Sequence, residues 1–211
     1  MRGHAFQLLV FLSFLFAAAA LPAPRAEAAS YEELLAEAKR DVEDADWTAL
    51  RFAYADSPGF DLLGAKTMMF QTAMFKALAD ENYKEAAKQA GLLLDQSYIN
   101  LDAHLVAGAA YDKLGDEKKS KLHRTAGQGI FNSIATGDGT SPEKAFTVIT
   151  VGEEYAMLRA LGLQPQQQSL FSDGGHSYDV LTAVNPHGKT FNVYFQIDRV
   201  VQAEQELLKG R

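Results

Sequence analysis

Two histidines, His104 and His123, are the residues whose spacing most readily suggests chemistry in this sequence. They lie on either side of a Gly115-Asp116 turn, so two antiparallel helices joined by that turn would bring them to facing positions. Counting outwards from the turn sets His104 opposite Gly127 and His123 opposite Gly108. Each imidazole would therefore face a glycine.

Two interpretations of this histidine pair stay open. The favoured one is complementary packing of buried, hydrogen-bonded histidines. The other is a metal site of two histidines completed by Asp102 or Glu154, because antiparallel helices can bring such side chains within reach of one ion. The spacing does not resemble a His-Glu-x-x-His motif, so we predict neither a metal ion nor another cofactor.

Carboxylates and a glycine-containing loop supply the remaining candidates. Glu153 and Glu154 are adjacent and could divide acid and base roles, although both also suit the positive end of a helix that begins just before them. Asp138 and Ser141 lie in a loop with two glycines. That loop could be an ordinary turn before Pro142 or a nest of amides for an anionic ligand.

Established catalytic sequence patterns are missing from the chain. It contains no nucleophile elbow, Walker loop, dinucleotide fingerprint or EF-hand loop. It has no cysteine, which removes thiol nucleophiles, Cys-based zinc sites and iron–sulfur clusters. We therefore lean towards a protein that is not an enzyme, although a triad assembled only in space would escape this reasoning.

The charge balance excludes one class of partner. The chain carries 20 basic and 27 acidic residues, a net charge of −7 at pH 7. Such a chain has no overall electrostatic attraction for phosphate backbones or anionic membranes. We therefore predict that it does not bind nucleic acid.

Residues 1–28 are typical of a secretory signal peptide. Arg2 precedes an uncharged apolar stretch, Ala5–Leu21, and Ala26-Glu27-Ala28 places small residues where a signal peptidase cleaves. The alternative is a retained membrane anchor, since this stretch is close to the lower limit for a spanning helix. Cleavage after Ala28 would leave a soluble protein in the periplasm or outside the cell, without stable membrane insertion.

Residues 29–136 have the pattern of a helical region. Ser30 and Glu33 form a capping box that predicts a helix almost at the mature N-terminus, and Asp46 is placed to cap a second helix. A third helical run, rich in methionine and phenylalanine, is expected over residues 62–79. Two further helix pairs are indicated around residues 83–98 and 103–134.

The helical region shows a period of about 34 residues, which is the length of a tetratricopeptide repeat. Shifting the chain by one period aligns Phe70–Met74 with His104–Gly108, and the stretch Ala107–Asp116 resembles the first helix and turn of that repeat. Two or three stacked helical hairpins are the expected result, with one end in need of a covering surface.

Residues 137–211 change to an extended pattern. Phe146–Thr150 predicts a strand. Thr150–Glu153 has the pattern of a capping box and predicts the start of a helix that ends at Gly162. Three more strands are expected over residues 168–171, 178–184 and 189–197, before a terminal helix near Val200. The predicted fold class is α+β: tetratricopeptide-like hairpins over residues 29–136, then a small α+β unit over 137–211, packed on the helices, with a mainly antiparallel sheet of about four strands.

The order of several motifs resembles an uncharacterised family of exported bacterial proteins defined by a domain of unknown function. The motifs are Leu101-Asp102-Ala103-His104, Gly137-Asp138-Gly139-Thr140-Ser141, Ala145-Phe146-Thr147-Val148-Ile149, Glu153-Glu154-Tyr155, Tyr178-Asp179-Val180-Leu181 and Val193-Tyr194-Phe195. The resemblance spans about residues 31–197 and implies export, a helical front half and an α+β back half. It implies no catalytic residue.

Two functions follow as hypotheses. The first is an exported binding or scaffold module whose hairpins present a concave face to a protein or peptide of the cell envelope. The alternative is a small hydrolase-like or ligand-binding protein with a cleft between the two halves. The candidate cleft residues are His104, His123, Asp138, Ser141 and Glu154. Their convergence around an open pocket would favour the alternative.

Overall fold

The computed structural model describes residues 29–210, so the signal peptide predicted for residues 1–28 lies outside the described residues. The described helices are α1 (Tyr31–Arg40), α2 (Trp47–Ala55), α3 (Met68–Ala79), α4 (Tyr83–Gln96), α5 (Leu101–Lys113), α6 (Glu117–Ile134), α7 (Val151–Ala160) and α8 (Asp198–Leu208). The strands are β1 (Phe146–Thr147), β2 (Gln164–Asp173), β3 (His176–Val184) and β4 (Thr190–Gln196). Across this range, no helix is both long enough and apolar enough to cross a membrane.

The predicted helix starts at Ser30 and Asp46 are confirmed. At Ser30 both bonds of the capping box form: the Glu33 amide donates to Ser30 Oγ at 3.3 Å, and the Ser30 amide donates to the Glu33 carboxylate at 2.8 Å. Asp46 accepts from the Ala49 amide at 2.9 Å. These short polar side chains satisfy amides that the first helical turn leaves unpaired.

The prediction that the third helix begins at Leu62 is wrong, because α3 begins at Met68. The Asp61 carboxylate accepts from the amides of Ala65 at 3.0 Å and Lys66 at 2.7 Å, which closes turns instead of a helix. Gly64, with φ of 67°, adopts the left-handed conformation that these turns require. Local side-chain bonding therefore outcompetes the apolar periodicity of this stretch.

The helices of the helical region pack in the spatial order α1-α2-α6-α5-α4-α3, which departs from chain order between α2 and α3. Helix α3 packs on α4, α4 on α5 and α5 on α6, while α2 packs on both α1 and α6. The starts of α3 and α5, and of α4 and α6, lie about 34 residues apart. The hairpin predicted around Gly115 is present as α5 and α6.

The sheet is mixed and has the order β1-β4-β3-β2. Strands β2, β3 and β4 form an antiparallel meander, and the two-residue strand β1 pairs with β4 in parallel. The predicted α+β class and mainly antiparallel sheet are confirmed. Strand β2 is longer than predicted and forms a free edge of the sheet, and all of its residues are exposed because neither core includes them.

The larger core joins the two halves of the chain. It contains Trp47 and Leu50 of α2 and Ile130 of α6 together with Met157 of α7 and Phe195 of β4. A second core is confined to α3, α4 and α5. The sheet and α7 therefore pack directly against the first and last helices of the helical region, and a cleft remains where the α2–α3 turns approach α7.

Candidate functional site

A cleft of about 440 Å³ lies between the helical region and the N-terminal end of α7. Its walls are residues of α2, the 61–64 turns, the start of α3, the α4–α5 connection, the first turns of α7, and α8. The α5 and α7 N-termini both open onto it, through Asn100 and Thr150. Both caps are occupied locally: Asn100 accepts from the Ala103 amide and Thr150 from the Glu153 amide.

Most of the cleft lining is apolar, and part of it is open to solvent. Leu63 is 66 % exposed and Met68 is 61 % exposed, and Val151 is exposed on the opposite wall. Met69, which follows Met68, is also exposed. A group of large apolar side chains left in water around a concavity is a feature of interaction sites.

The charged residues of the cleft lining are all acidic. They are Asp61, Glu153 and Glu204. Asp61 holds the turns described above, while Tyr54 Oη accepts from the Asp61 amide at 3.2 Å. The pKa of Tyr54 is raised above its ordinary value, mainly because the side chain is buried, so the phenol stays neutral at physiological pH.

A buried ion pair forms the floor of the cleft. Arg51 Nε donates to Glu153 Oε1 at 2.9 Å and Arg51 Nη2 to Glu153 Oε2 at 2.6 Å. The same guanidinium donates to the carbonyls of Ser133 at 2.7 Å and Thr147 at 3.0 Å. Glu153 also accepts from the Ile149 amide at 2.9 Å. Its carboxylate therefore joins α2 to α7 instead of closing the capping box predicted with Thr150.

Sequence reasoning did not single out Arg51. The sequence nevertheless contains a pattern that indicates a buried arginine, because Arg51 follows Leu50 inside the short apolar helix that begins at Trp47. An arginine at such a position must find a partner when the helix packs. The identity of that partner, 102 positions further along the chain, could not be read from the sequence.

The two candidate histidines contact each other. Their Nδ1 atoms lie 3.1 Å apart, and His104 Nε2 lies 2.8 Å from the Tyr98 carbonyl oxygen. Because a carbonyl only accepts, His104 must carry its proton on Nε2, and its Nδ1 then accepts from His123 Nδ1. Burial lowers the pKa of His104 to about 3 and also lowers that of His123.

Only one of the two predicted histidine–glycine contacts is found. A Cβ at Gly127 would lie 3.6 Å from His104 Cβ, as expected. A Cβ at Gly108 would instead meet Arg124 and Ser120, since His123 turns towards His104 and stacks on Tyr111. The space beside Gly108 is taken by the approach of α6 itself, and Ser120 Oγ donates to the Gly108 carbonyl at 2.9 Å.

Asp138 and Ser141 lie in the loop before β1, away from the cleft lining. Asp138 accepts from the Thr140 amide at 3.1 Å and from Lys144 Nζ at 3.2 Å. These hydrogen bonds, led by those from Thr140, lower the pKa of Asp138. Ser141 precedes a short 3₁₀ turn that has Pro142 at its first position.

Glu154 does not line the cleft, although it follows Glu153 in α7. It is fully buried beside Asp179 of β3, whereas its neighbour Glu153 is bonded to Arg51. Asp102, the other carboxylate considered with the histidines, is bonded to Arg159 and Gln71.

The five candidate residues are thus divided among three places: the histidine pair, the loop before β1, and the interface between α7 and the sheet. None of them lines the cleft. Within residues 29–210, no group of three or more His, Asp or Glu side chains is arranged to hold a metal ion.

These features define a class: an α+β protein with stacked helices, a four-stranded mixed sheet and a mostly apolar cleft, with acidic side chains in its lining, between the helical region and α7. The chain belongs to the family described as domain of unknown function DUF4919, which matches residues 32–206. The predicted membership of a family of unknown function is therefore confirmed, while export and the tetratricopeptide resemblance stay predictions. Neither a curated protein nor a solved structure matches the chain.

Proposed function

We propose that this protein is a non-enzymatic binding module that takes an apolar side chain of a peptide or protein segment into the cleft between its two halves. The observation that carries the proposal is the cleft of about 440 Å³ with Leu63 and Met68 exposed at its edge. Burying either side chain against a partner would stabilise a complex by about 1.5–3 kcal/mol.

The chemistry of the edge favours a peptide segment as the ligand. Methionine is flexible and polarisable, so Met68 and Met69 can adapt to differently shaped apolar side chains. The volume of the cleft accommodates one or two such side chains, and the neighbouring surface at Val151 supplies further apolar contact.

Charge complementarity specifies the residues beside the apolar anchor. Asp61 and Glu204 line the cleft, and none of its lining residues within 29–210 is basic. The chain as a whole is also acidic. A ligand segment with lysine or arginine next to its apolar residue would therefore associate faster and in a preferred orientation.

The distribution of the polar candidates supports binding over the hydrolase-like alternative. The histidines are bonded to each other and to Tyr98, and Asp138 is bonded within its own loop. An acid–base site would need such groups to converge on a solvent-open pocket. The proposal also includes an envelope location, on the strength of the signal-peptide pattern, and tetratricopeptide-like hairpins that present the cleft.

A peptide library tests this function directly. The mature chain, residues 29–211, is screened against displayed peptides, and the selected sequences are measured by fluorescence anisotropy. We expect an apolar residue flanked by lysine or arginine to be enriched. Leu63→Glu should weaken the selected peptides at least about tenfold, since it places a charge in the apolar edge.

Leu114→Glu is the matched control, because Leu114 is also exposed but lies at the end of α5, outside the cleft lining. It should bind peptides like the unmodified protein. Selection of no peptide, or equal weakening by both variants, would contradict the proposal. Turnover of ester or peptide substrates that is lost in His104→Asn would favour the hydrolase-like alternative.

A further inference from the structure

Two carboxyl groups meet inside the protein between α7 and the sheet. Glu154 is 0 % exposed and Asp179 of β3 is 1 % exposed. Neither oxygen of Glu154 has a hydrogen-bond partner among the described residues, and neither does Asp179 Oδ1. Asp179 Oδ2 accepts a hydrogen bond from Gln168 of β2.

Among residues 29–210, no arginine, lysine or histidine forms an ion pair with Glu154 or Asp179. Helix α8 also packs on β3, but its Arg199 is bonded to Asp56. The residues opposite Asp179 in the sheet are Leu170 on β2 and Phe195 on β4, both uncharged. On α7 itself the nearest charge is Glu153, whose carboxylate is already bonded to Arg51. The desolvation free energy of two buried, ionised carboxylates would exceed any stabilisation from their surroundings, so one of the two groups must be neutral.

We propose that Glu154 and Asp179 share a single proton: Glu154 carries it and forms a hydrogen bond to Asp179 Oδ1. This hydrogen bond, here called the latch, holds α7 against the sheet and depends on pH. One such hydrogen bond supplies partners for two of the three unpaired oxygens at once. The proton is placed on Glu154 because Gln168 already donates a hydrogen bond to Asp179 Oδ2, whereas neither oxygen of Glu154 has a donor.

The electrostatics support the same assignment of the proton. Burial, followed by the negative charge of Asp179, raises the pKa of Glu154 to about 9. The acid form is therefore present in the folded protein throughout the physiological pH range, while the unfolded chain would ionise it near pH 4.3. The folded state binds one proton more than the unfolded state between these two values.

The sign of the pH dependence follows from this proton. A raised carboxyl pKa stabilises the fold fully below the unfolded value, and this contribution is lost as the pH rises towards about 9. Helix α7 also forms a wall of the cleft through Val151 and Tyr155. Loosening of α7 at high pH would therefore also alter the cleft, a consequence that rests on the proposed function.

The latch itself is tested without any cleft ligand. Urea unfolding is measured from pH 5 to pH 9 for the unmodified protein and for Glu154→Gln, whose amide donates to Asp179 at every pH. Relative to the variant, the folding equilibrium constant of the unmodified protein should fall about tenfold per pH unit. Glu206→Gln, an exposed carboxyl-to-amide change on α8, is the control and should keep the unmodified slope.

A direct readout keeps the test valid if Glu154→Gln fails to fold. Carbon-13 NMR of the glutamate side-chain carboxyls should show one group that stays protonated at pH 7. In Asp179→Asn the pKa of this group should fall, because the negative charge of Asp179 is lost while burial of Glu154 remains. A carboxyl spectrum with only ordinary titrations, or parallel slopes in Glu154→Gln and the unmodified protein, would overturn the proposal. Stabilisation by added Ca²⁺ or Mg²⁺ that Glu154→Gln abolishes would also overturn it, because a cation would then occupy the place assigned to the proton.

Discussion

Arg51 brings a permanent positive charge into the core, where its guanidinium is fully buried and bonded to Glu153 and to two backbone carbonyls. Its three nitrogens therefore all have partners from α6, α7 and the segment around β1. A buried pair of this kind fixes one arrangement of the elements more than it adds to stability, since removing both charges can be neutral while removing one is costly.

Arg51→Met should lower the free energy of unfolding by about 3–5 kcal/mol, because Glu153 would remain buried without its partner. Urea unfolding followed by circular dichroism measures the loss. Lys121→Met is the matched control, since Lys121 pairs with Glu43 on the surface, and it should cost less than about 1 kcal/mol. Equal losses in the two variants would show that the buried pair has no special role.

The histidine pair should make the fold sensitive to acid. Burial lowers the pKa of both His104 and His123 in the folded state, so the unfolded chain takes up protons first as the pH falls below about 6.5. The stability they contribute is present above that value and is lost below it. This dependence is opposite in sign to that of Glu154.

We expect the stability of the unmodified protein, relative to His104→Asn, to fall by up to about 1.4 kcal/mol per pH unit between pH 6 and pH 4.5. Subtracting the free energy of unfolding of His104→Asn from that of the unmodified protein at each pH removes the contribution of the titratable groups that the two proteins share. His187→Asn, in the exposed turn before β4, should leave the acid slope unchanged. A slope that His104→Asn does not reduce would contradict the buried, neutral pair.

At the scale of elements, the close approach of α6 to α2 depends on a glycine. A Cβ at Gly129 would lie 2.2 Å from Trp47 Cδ1, a distance that no packing can accept. The indole can pack against α6 only because that helix has no side chain at this position. Gly91 of α4 differs, since a Cβ there would meet nothing within 4 Å.

Two glycine-to-alanine substitutions should therefore change the stability of the fold in opposite directions. Gly129→Ala should lower the thermal midpoint, with a loss of about 1–3 kcal/mol from the displaced Trp47. Gly91→Ala should raise stability by about 0.5–1 kcal/mol, because alanine is the better helix former where space is free. Calorimetry measures the thermal midpoints of both variants. Stabilisation by both substitutions would mean that Trp47 is not packed as described.

At the scale of the whole molecule, the two sequence regions share one core. Leu50 and Ile130 from the helical region pack in the same cluster as Met157 and Phe195 from residues 137–211. A unit of roughly 75 residues is already marginal when it keeps all of its core. Separating the regions would expose this shared apolar surface on both pieces.

A fragment of residues 137–211 should therefore be unfolded by itself, with little amide dispersion in NMR and no cooperative thermal transition. The intact chain, residues 29–211, should show one transition that involves both α6 and the sheet. Mixing the fragment with residues 29–136 should restore part of the dispersion. A cooperative transition in the isolated fragment would contradict a shared core.

The candidate site illustrates where prediction from sequence ended. The position of His104 and His123 on facing helices of one hairpin was predictable from the turn at Gly115, but their direct contact was not, because that register set each histidine opposite a glycine. The lining of the cleft was not predictable either, since its walls come from segments as distant as Leu63 and Glu204. The role of Glu154 also needed the fold, because only the sheet brings Asp179 against α7.

Local patterns in the sequence determined the α+β class, the caps at Ser30 and Asp46, the α5–α6 hairpin and the family of unknown function. These features depend on residues a few positions apart, whose interactions form wherever the chain lies. The start of α3, the partner of Arg51, the parallel pairing of β1 and the cleft came from tertiary structure. They depend on contacts between distant segments, and the energy of such contacts is set by burial that no local pattern encodes.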